Sequence, residues 1–298
     1  MVLLTRPVTE TIQQRFSCRM YQREPIAQDR ASRLEAAALA LDKGPLGSPL
    51  RFMLVAAAAQ DASSLRGLGT YGTIKDPAGF LLGVVGKGEK NLEDFGYGMQ
   101  SLVLQATELG LGTCWLGGFF AKSAFARKIN PANDEILPAV VSTGYPQEDS
   151  RKRDWMRKAS NGDMRLPWES LFFNGQFDRP LERSDARDYA IPLEMVRLAP
   201  SASNKQPWRI ILQGDHFHFY LHRTPGYGKG SFSFWLLDLP DLQRVDLGIA
   251  MCHFELTANE VGLKGAWVIQ DPPPFNNDLT SEYCITWVPG VQPHTISP

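Results

Sequence analysis

The sequence lacks a long hydrophobic run and an excess of charge of either sign. Its 298 residues carry 31 basic and 32 acidic side chains, which gives a formal net charge of −1. No apolar run approaches the roughly 20 residues that span a bilayer. The balanced charge provides no general attraction to nucleic acid or to an anionic membrane surface. We therefore expect a cytoplasmic protein without nucleic-acid or membrane partners, in which any anion site is local.

Cysteine is scarce and scattered. Cys18, Cys114, Cys252 and Cys284 form no CxxC pair and no Cys/His ligand spacing. This pattern predicts neither a disulfide framework nor a zinc site, because both need cysteines at defined separations. We expect no metal centre.

Several motifs of enzyme families are also missing. The chain has no GxSxG, no HExxH and no GxGxxG, so no nucleophile with its base is visible and a dinucleotide-binding Rossmann domain is disfavoured. His216, His218 and His222 alternate in a strand-like stretch. Three histidines without other ligand types rarely hold a metal, so we expect His216 and His218 on the strand surface.

An internal repeat is the main feature that the sequence does contain. A shift of 152 positions (246 − 94) aligns nine identical residues within a window of 22. Unrelated windows give about one or two such identities. The paired residues are Asp94/Asp246, Gly96/Gly248, Met99/Met251, Leu104/Leu256, Ala106/Ala258, Glu108/Glu260, Gly110/Gly262, Leu111/Leu263 and Trp115/Trp267. Two related halves are the simplest explanation.

Each half is expected to contain an amphipathic helix that ends at a glycine and leads into a strand. Apolar strands alternate with helices throughout, which indicates an α+β sandwich. We place the halves at residues 1–150 and 151–298 and interpret the charged stretch 146–165 as an exposed connection. Such a chain resembles a homodimer made covalent, with a pseudo-two-fold axis in place of the true one.

Basic side chains offer two candidate anion sites. Arg15, Ser17 and Arg19 lie on one side of the chain if it is extended there, and guanidinium forks with a hydroxyl suit a phosphate group. The alternative is a solvated helix end. Arg151 and Arg153 follow a predicted strand end at 144–146 and could close over the same phosphate; the alternative is a charged, exposed linker.

Between Pro200 and Trp208 a turn concentrates the polar residues Ser201, Ser203, Asn204 and Gln206. Amide side chains both donate and accept hydrogen bonds, as the edge of a flavin pyrimidine ring requires. An ordinary helix-to-strand turn is the alternative. The corresponding turn of the first half, 45–48, is shorter.

Leu116, Gly117 and Gly118 follow a predicted strand, where successive glycines allow the backbone to approach a planar ligand closely. A flexible turn explains this feature equally well. The segment GTYGTIK at 69–75 has the same two interpretations.

Four segments of the sequence together resemble the nitroreductase-like flavoproteins, in particular the subgroup that fuses two half-domains in one chain. RFSCRMY at 15–21 resembles the Arg-x-Ser-x-Arg phosphate motif of the family, and APSASNKQPW at 199–208 resembles its flavin-ring turn. ELGLGTCWLGGF at 108–119 and STGYP at 142–146 resemble its second helix-and-strand segment. The resemblance covers nearly the whole chain.

The resemblance implies FMN as cofactor and NAD(P)H as the reductant of an electron-poor acceptor such as a nitroaromatic or a quinone. Carried over, Arg15, Ser17 and Arg19, with Arg151 or Arg153, would hold the phosphate. Residues from the second half would meet the flavin, namely Pro200, Ser201, Ala202, Ser203 and Asn204. Only the phosphate residues of the first half combined with the flavin-ring turn of the second half form a complete site. We therefore expect one FMN per chain and a monomer that acts as a pseudo-dimer.

Two other functions remain open from the sequence alone: an FMN-binding protein without reductase turnover, and a flavin-free protein in which the scaffold is structural. Phe119, Phe120 or Tyr71 would line the substrate face or else pack in the core.

Overall fold

Two β-sheets and a set of helices make up the fold. The computed structural model describes residues 4–57, 63–118, 120–227, 240–270 and 281–291. Its helices are α1 (Val8–Gln14), α2 (Gln28–Leu39), α3 (Asn91–Glu108), α4 (Lys122–Ile129), α5 (Ser150–Arg153), α6 (Trp155–Ala159), α7 (Ala190–Arg197) and α8 (Leu242–Glu260). The predicted α+β class is confirmed.

The first sheet has four strands in the order β1-β2-β4-β3, and every pairing is antiparallel. They are β1 (Leu50–Ala56), β2 (Gly79–Val85), β3 (Gly112–Leu116) and β4 (Val140–Gly144). The two central strands are buried along their whole length. A strand that is covered on both faces needs a continuous apolar run, which GFLLGVV provides in β2.

The second sheet has five strands in the order β5-β6-β7-β9-β8. They are β5 (Phe172–Asn174), β6 (Trp208–Gln213), β7 (His216–His222), β8 (Gly265–Val268) and β9 (Ser281–Pro289). Strand β5 pairs with β6 in parallel, and the other pairings are antiparallel.

Helices α3 and α8 pack against each other between the two sheets. They cross where Gly96 meets Gly248: a Cβ on Gly96 would overlap the carbonyl oxygen of Val245, and a Cβ on Gly248 would overlap that of Glu93. Backbone atoms can approach this closely only where neither residue has a side chain. The crossing residues are the repeat pair that the 152-residue shift aligns.

The C-terminal ends of these two helices have identical hydrogen bonding. After α3, Gly110 has a φ of 76° and the Leu111 N–H donates to the Ala106 carbonyl at 2.9 Å. After α8, Gly262 has a φ of 83° and the Leu263 N–H donates to the Ala258 carbonyl at 2.8 Å. Both are Schellman caps, in which a left-handed glycine closes the helix. The predicted glycine caps are confirmed.

Asp94 and Asp246, another repeat pair, each hold the turn that precedes a strand. Asp94 accepts backbone hydrogen bonds from Leu46 (2.7 Å) and Ser48 (2.8 Å). Asp246 accepts one from Ala202 at 2.9 Å. Burial raises the pKa of both carboxyl groups, that of Asp246 well above its usual range.

The N-terminal segment lies across the ends of both long helices. Glu108 accepts hydrogen bonds from the backbone of Thr5 and Arg6, the latter at 2.8 Å, and Glu260 accepts from the backbone of Val8 and the Thr9 hydroxyl, the latter at 2.8 Å. These two glutamates are also a repeat pair. Glu108 therefore binds the segment just before α1, and Glu260 binds the first residues of α1.

Two sequence-based expectations are wrong. His218 is not on the surface: it is 2% exposed, and its Nδ1 lies 2.8 Å from the Thr286 hydroxyl, because both faces of β7 are covered. The stretch 146–165 is not merely an exposed connection, since it contains α5 and α6 and buries Asp154 and Arg157.

None of the described helices combines the length and the hydrophobicity of a membrane-spanning segment.

Candidate functional site

A cavity of about 590 Å³ opens beside strand β3, within the range of roughly 300–1,000 Å³ usual for ligand pockets. Three groups of residues from distant parts of the sequence line it: the segment after α1, the end of β3, and the turn before β6. From the predicted set the lining includes Arg15, Ser17, Arg19, Leu116, Gly117, Gly118, Pro200, Ser201, Ala202, Ser203 and Asn204.

The segment after α1 runs extended along the edge of the first sheet. Helix α1 ends at Gln14, and Arg15 is already in the extended region with a ψ of 131°. The Cys18 N–H donates to the Thr113 carbonyl of edge strand β3 at 2.8 Å. Alternate side chains therefore point to opposite sides: Cys18 is buried, whereas Arg15, Ser17 and Arg19 line the cavity. The predicted alternation is confirmed.

Arg15 is a buried cation and Arg165 a half-buried one, and neither forms an ion pair with a carboxylate in the described part of the chain. The Nε of each is buried and has no hydrogen-bond partner. Burial and the neighbouring guanidiniums of Arg165 and Arg157 lower the pKa of Arg15 to about 9, and burial with Arg157 and Arg197 lowers the pKa of Arg165 to about 10. Both guanidiniums stay charged at neutral pH, so their charges are held in a place where burial, first, and neighbouring positive charge, second, disfavour them. An anion at this point would stabilise both charges.

The acids nearby are already engaged by other arginines. Asp163 pairs with Arg157 and with Arg151 (2.9 Å), and the hydrogen bond from Arg157 holds the pKa of that carboxyl well below its usual range. Asp154 accepts from Arg19 at 2.7 Å and also caps α6. The local balance is therefore positive at Arg15 and Arg165.

The turn before β6 is held in an unusual backbone conformation. The backbone φ is positive at three residues of the turn: 48° at Ser203, 54° at Asn204 and 49° at Gln206. Residues other than glycine rarely adopt this left-handed region, and those that do are often found at functional sites. The Ser201 hydroxyl accepts from the Gln206 N–H at 2.8 Å, and Asp246 holds the Ala202 N–H. One hydrogen bond within the turn and one to Asp246 of α8 therefore fix its conformation.

The amide of Asn204 is bound by the protein itself. It donates to the carbonyls of Asn161 (2.8 Å) and Met164 (3.0 Å), and its oxygen accepts from Arg165 at 3.3 Å. These bonds join the turn to the segment that carries Arg165. Contact of this amide with a flavin stays a prediction.

At the end of β3 the backbone comes close to the start of α8. A Cβ on Gly117 would overlap the side chain of Leu242, whereas Gly118 is exposed and has open space around it. Leu116, Gly117 and Gly118 form one wall, with Leu242 beside them. A side chain at position 117 would therefore have to displace the side chain of Leu242.

Some predicted residues lie elsewhere. Arg151 and Arg153 are exposed and do not line the cavity, and Gln206 is buried beneath the turn, where its Oε1 accepts from the Leu166 N–H at 2.9 Å. Phe120 is buried in the core and Tyr71 is 72% exposed, both outside the cavity lining. Phe119 lies outside the described residues.

Other lining residues are not predicted from the sequence, and several of them lie in the stretch 146–165. These are Thr73, Trp115, Met156, Arg157, Ser160, Gly162, Arg165, Gly226, Tyr227, Pro240 and Leu242. Arg165 is an isolated arginine before a Leu-Pro step, a pattern without a local signature. Thr73 belongs to the segment 69–75, for which the sequence allows either a ligand-binding backbone or a flexible turn.

The chain is similar to several solved structures. A solved structure described as a "putative nitroreductase" from Thermotoga maritima has a TM-score of 0.59 and 20% identity, covering 96% of this chain and 95% of that one. A structure described as an oxidoreductase containing FMN has a TM-score of 0.47 and 20% identity, covering 59% and 95%. A nitroreductase family protein from Clostridium difficile has a TM-score of 0.39 and 17% identity, covering 53% and 92%.

A search of curated proteins gives no match. A family model described as "Putative TM nitroreductase" matches residues 7–258. Because this match covers well over half of the 298 residues, the chain belongs to that nitroreductase family.

Proposed function

We propose that the protein is an FMN-dependent oxidoreductase that takes hydride from NAD(P)H and reduces an electron-poor acceptor such as a nitroaromatic or a quinone. The observation that carries the proposal is the single cavity that joins the uncompensated guanidiniums of Arg15 and Arg165 to the polar turn 200–204. Membership of a nitroreductase family supports an oxidoreductase function.

The residues present fit the phosphate of FMN. Arg15 and Arg165 each have a buried Nε without a partner, and Ser17 adds a hydroxyl donor on the same side. A phosphate would supply the negative charge that this end of the cavity lacks, through charge-assisted hydrogen bonds. Arg19 has one guanidinium nitrogen committed to Asp154, so we assign it a secondary part.

The opposite wall fits a planar ring. The turn from Pro200 to Asn204 and the backbone at Gly117 and Gly118 line the same cavity, and hydrogen bonds within the turn and from Asp246 fix its shape before a ligand binds. The described lining contains no Asp, Glu, His or Cys. When bound, the flavin supplies the hydride chemistry, and the protein supplies binding, orientation and charge.

We also propose that the chain is an internally duplicated pseudo-dimer with one flavin site. The matched Asp, Gly, Glu and Schellman-cap positions of α3 and α8 support duplication. The site takes Arg15, Ser17 and Arg19 from the first half, and Arg165 with the turn 200–204 from the second. The reverse combination is incomplete, because the first-half turn is only Pro45–Ser48 and no Arg-x-Ser-x-Arg precedes the helix of the second half. We expect the chain to act as a monomer.

An anaerobic experiment tests the proposed function. The protein is purified, its visible absorption is recorded with and without added FMN, and NADH or NADPH is then added without oxygen. We expect a bound-flavin spectrum that bleaches on addition of at least one nucleotide and recovers on addition of a quinone or a nitroaromatic. A bound flavin that neither nucleotide bleaches would indicate a binding protein without turnover, and absence of any bound flavin would contradict the proposal.

A further inference from the structure

Trp115, in the cavity wall, is connected to α8 by a chain of hydrogen bonds. Its Nε1–H donates to Gln100 Oε1 at 3.1 Å, and Gln100 Nε2 lies 2.8 Å from His253 Nε2. His253 Nδ1 lies 2.8 Å from the carbonyl oxygen of Met195. Gln100 and His253 are fully buried. The chain therefore links β3, α3, α8 and α7 in one path.

Donor and acceptor chemistry permits one arrangement of protons along this path. An indole N–H only donates, so Gln100 must present its oxygen to Trp115 and its NH₂ group to His253. An amide nitrogen also only donates, so His253 Nε2 must accept. The ring proton of His253 is then on Nδ1, where it donates to Met195. Every polar atom in the path has a partner.

The surroundings keep the path uncharged. Burial, with the positive charges of Arg15 and Arg165, lowers the pKa of His253 to about 3. A protonated His253 would also lose the lone pair that accepts from Gln100. The neutral tautomer assigned from hydrogen bonding is thus the one that the electrostatics favour.

The repeat partner of Trp115 is held by a carboxyl group. Trp267 donates its Nε1–H to Glu255 of α8 at 2.6 Å, and Glu255 is hydrogen-bonded in turn to the Tyr97 side chain of α3. Trp115 reaches α8 through the neutral amide of Gln100, and its ring also meets Phe95 edge to face at a centroid distance of 6.3 Å. Both tryptophans are therefore linked across the contact between α3 and α8, and Trp115 is the one that lines the cavity.

We propose that Trp115 is a positioning residue for the ring of the bound flavin, and that Gln100 and His253 hold it in place. This inference rests on the proposed function. A wall that is fixed before binding lowers the ordering cost of association. Because the indole carries no charge, its effect falls on the ring of the ligand and not on the phosphate.

Variants of Gln100 and His253 test this, with FMN and riboflavin as the two probes. The variants Gln100→Leu and His253→Leu each remove hydrogen bonds of the path and keep a side chain of similar size. Dissociation constants for both ligands are measured by flavin fluorescence quenching. We expect both ligands to bind roughly tenfold more weakly, as for loss of a buried partner, with the FMN-to-riboflavin ratio unchanged. His253→Gln retains one acceptor and one donor and should restore much of the affinity.

Gln100→Glu provides a readout that a purely structural role would not change. A glutamate at position 100 accepts the hydrogen bond from Trp115, but its contact with His253 requires a proton shared between the two side chains. Riboflavin affinity should therefore fall as the pH rises and that proton is lost. The unmodified protein should show no such dependence. This variant and His253→Gln test the inference even where a leucine variant does not fold.

Two results would overturn the inference alone: riboflavin affinity equal to that of the unmodified protein in folded variants, or a loss confined to FMN. Failure of the unmodified protein to bind either flavin would instead overturn the proposed function.

Discussion

Arg15 is the residue on which the proposed site depends most. It is 9% exposed, its Nε has no partner, and its nearest charged neighbours include Arg157 and Arg165. Burying a cation without a counter-charge costs free energy that folding alone does not offset. A site that selects an anion gives such a residue a physical reason to be there.

Replacement of Arg15 or Arg165 should separate phosphate from ring recognition. Arg15→Gln and Arg165→Gln each remove a charged contact worth about 1.5–3 kcal/mol, so FMN should bind at least tenfold more weakly while riboflavin changes little. Titration by fluorescence quenching measures both ligands. Arg51→Gln is the matched control, because Arg51 is exposed, pairs with Glu135 and does not line the cavity.

Equal losses for FMN and riboflavin would place these guanidiniums away from the phosphate. A larger loss in Arg151→Gln than in Arg165→Gln would support the phosphate role that the family resemblance implies for Arg151 and contradict the assignment made from the cavity.

His218 is expected to make stability depend on pH. Burial, with a contribution from His216, lowers the pKa of His218 from 6.5 to about 4. The unfolded chain therefore binds the proton first, so the free energy of unfolding should fall as pH drops from about 6.5 toward 4, by up to about 1.4 kcal/mol per pH unit for each such histidine. His253, with a pKa of about 3, should add to the same slope.

Urea unfolding at a series of pH values measures this slope. His218→Gln removes one titrating group and should make the dependence between pH 6.5 and 4 clearly shallower. An unchanged slope in a folded His218→Gln protein would mean that His218 is already protonated in the native state.

At the scale of elements, the crossing of α3 and α8 sets the distance between the two sheets. Gly248→Ala and Gly96→Ala would each drive a methyl group into a backbone carbonyl of the other helix. Because backbone cannot rotate away as a side chain can, we expect a loss of at least about 1–3 kcal/mol of stability. Thermal unfolding measures it.

Gly69→Ala serves as the control for these helix variants, since the nearest atom to its added Cβ would be 4.0 Å away and its φ is not in the left-handed region. Melting temperatures of Gly96→Ala and Gly248→Ala close to that of Gly69→Ala would show that the two helices do not cross in this way.

The long elements were predictable because local rules determine them. A left-handed glycine at the C-terminal end identifies α3 and α8, and a continuous apolar run identifies β2. The predicted amphipathic pattern is wrong for α8, which is buried at nearly every position because it packs between α3 and the second sheet. The stretch 146–165 was misjudged because α5 and α6 have only four and five residues, too few for a periodic pattern. Asp154 is buried there through its contact with Arg19, 135 positions away, which no local rule shows.

At the scale of the whole molecule, one N-terminal segment serves two equivalent helix ends. Glu108 and Glu260 both bind residues 5–9, and the chain then leads directly into Arg15. In the pseudo-dimer proposed above, the described residues hold one such segment where a homodimer would have two.

The site was predictable from sequence where motif and family resemblance coincide, as for Arg15, Ser17, Arg19 and the turn 200–204. The place of Arg165 in the site was not predictable, because it depends on hydrogen bonds to Asn204 and to the Leu198 carbonyl that form only on folding. The division at residues 150 and 151 stays a prediction.

The most direct test is the stoichiometry of flavin binding. Apoprotein at a known concentration is titrated with FMN, and the quenching of flavin fluorescence is followed to saturation. A break at one FMN per chain is expected if the arginine segment of the first half and the turn of the second half build a single site; a break near two, or no saturable binding, would contradict it.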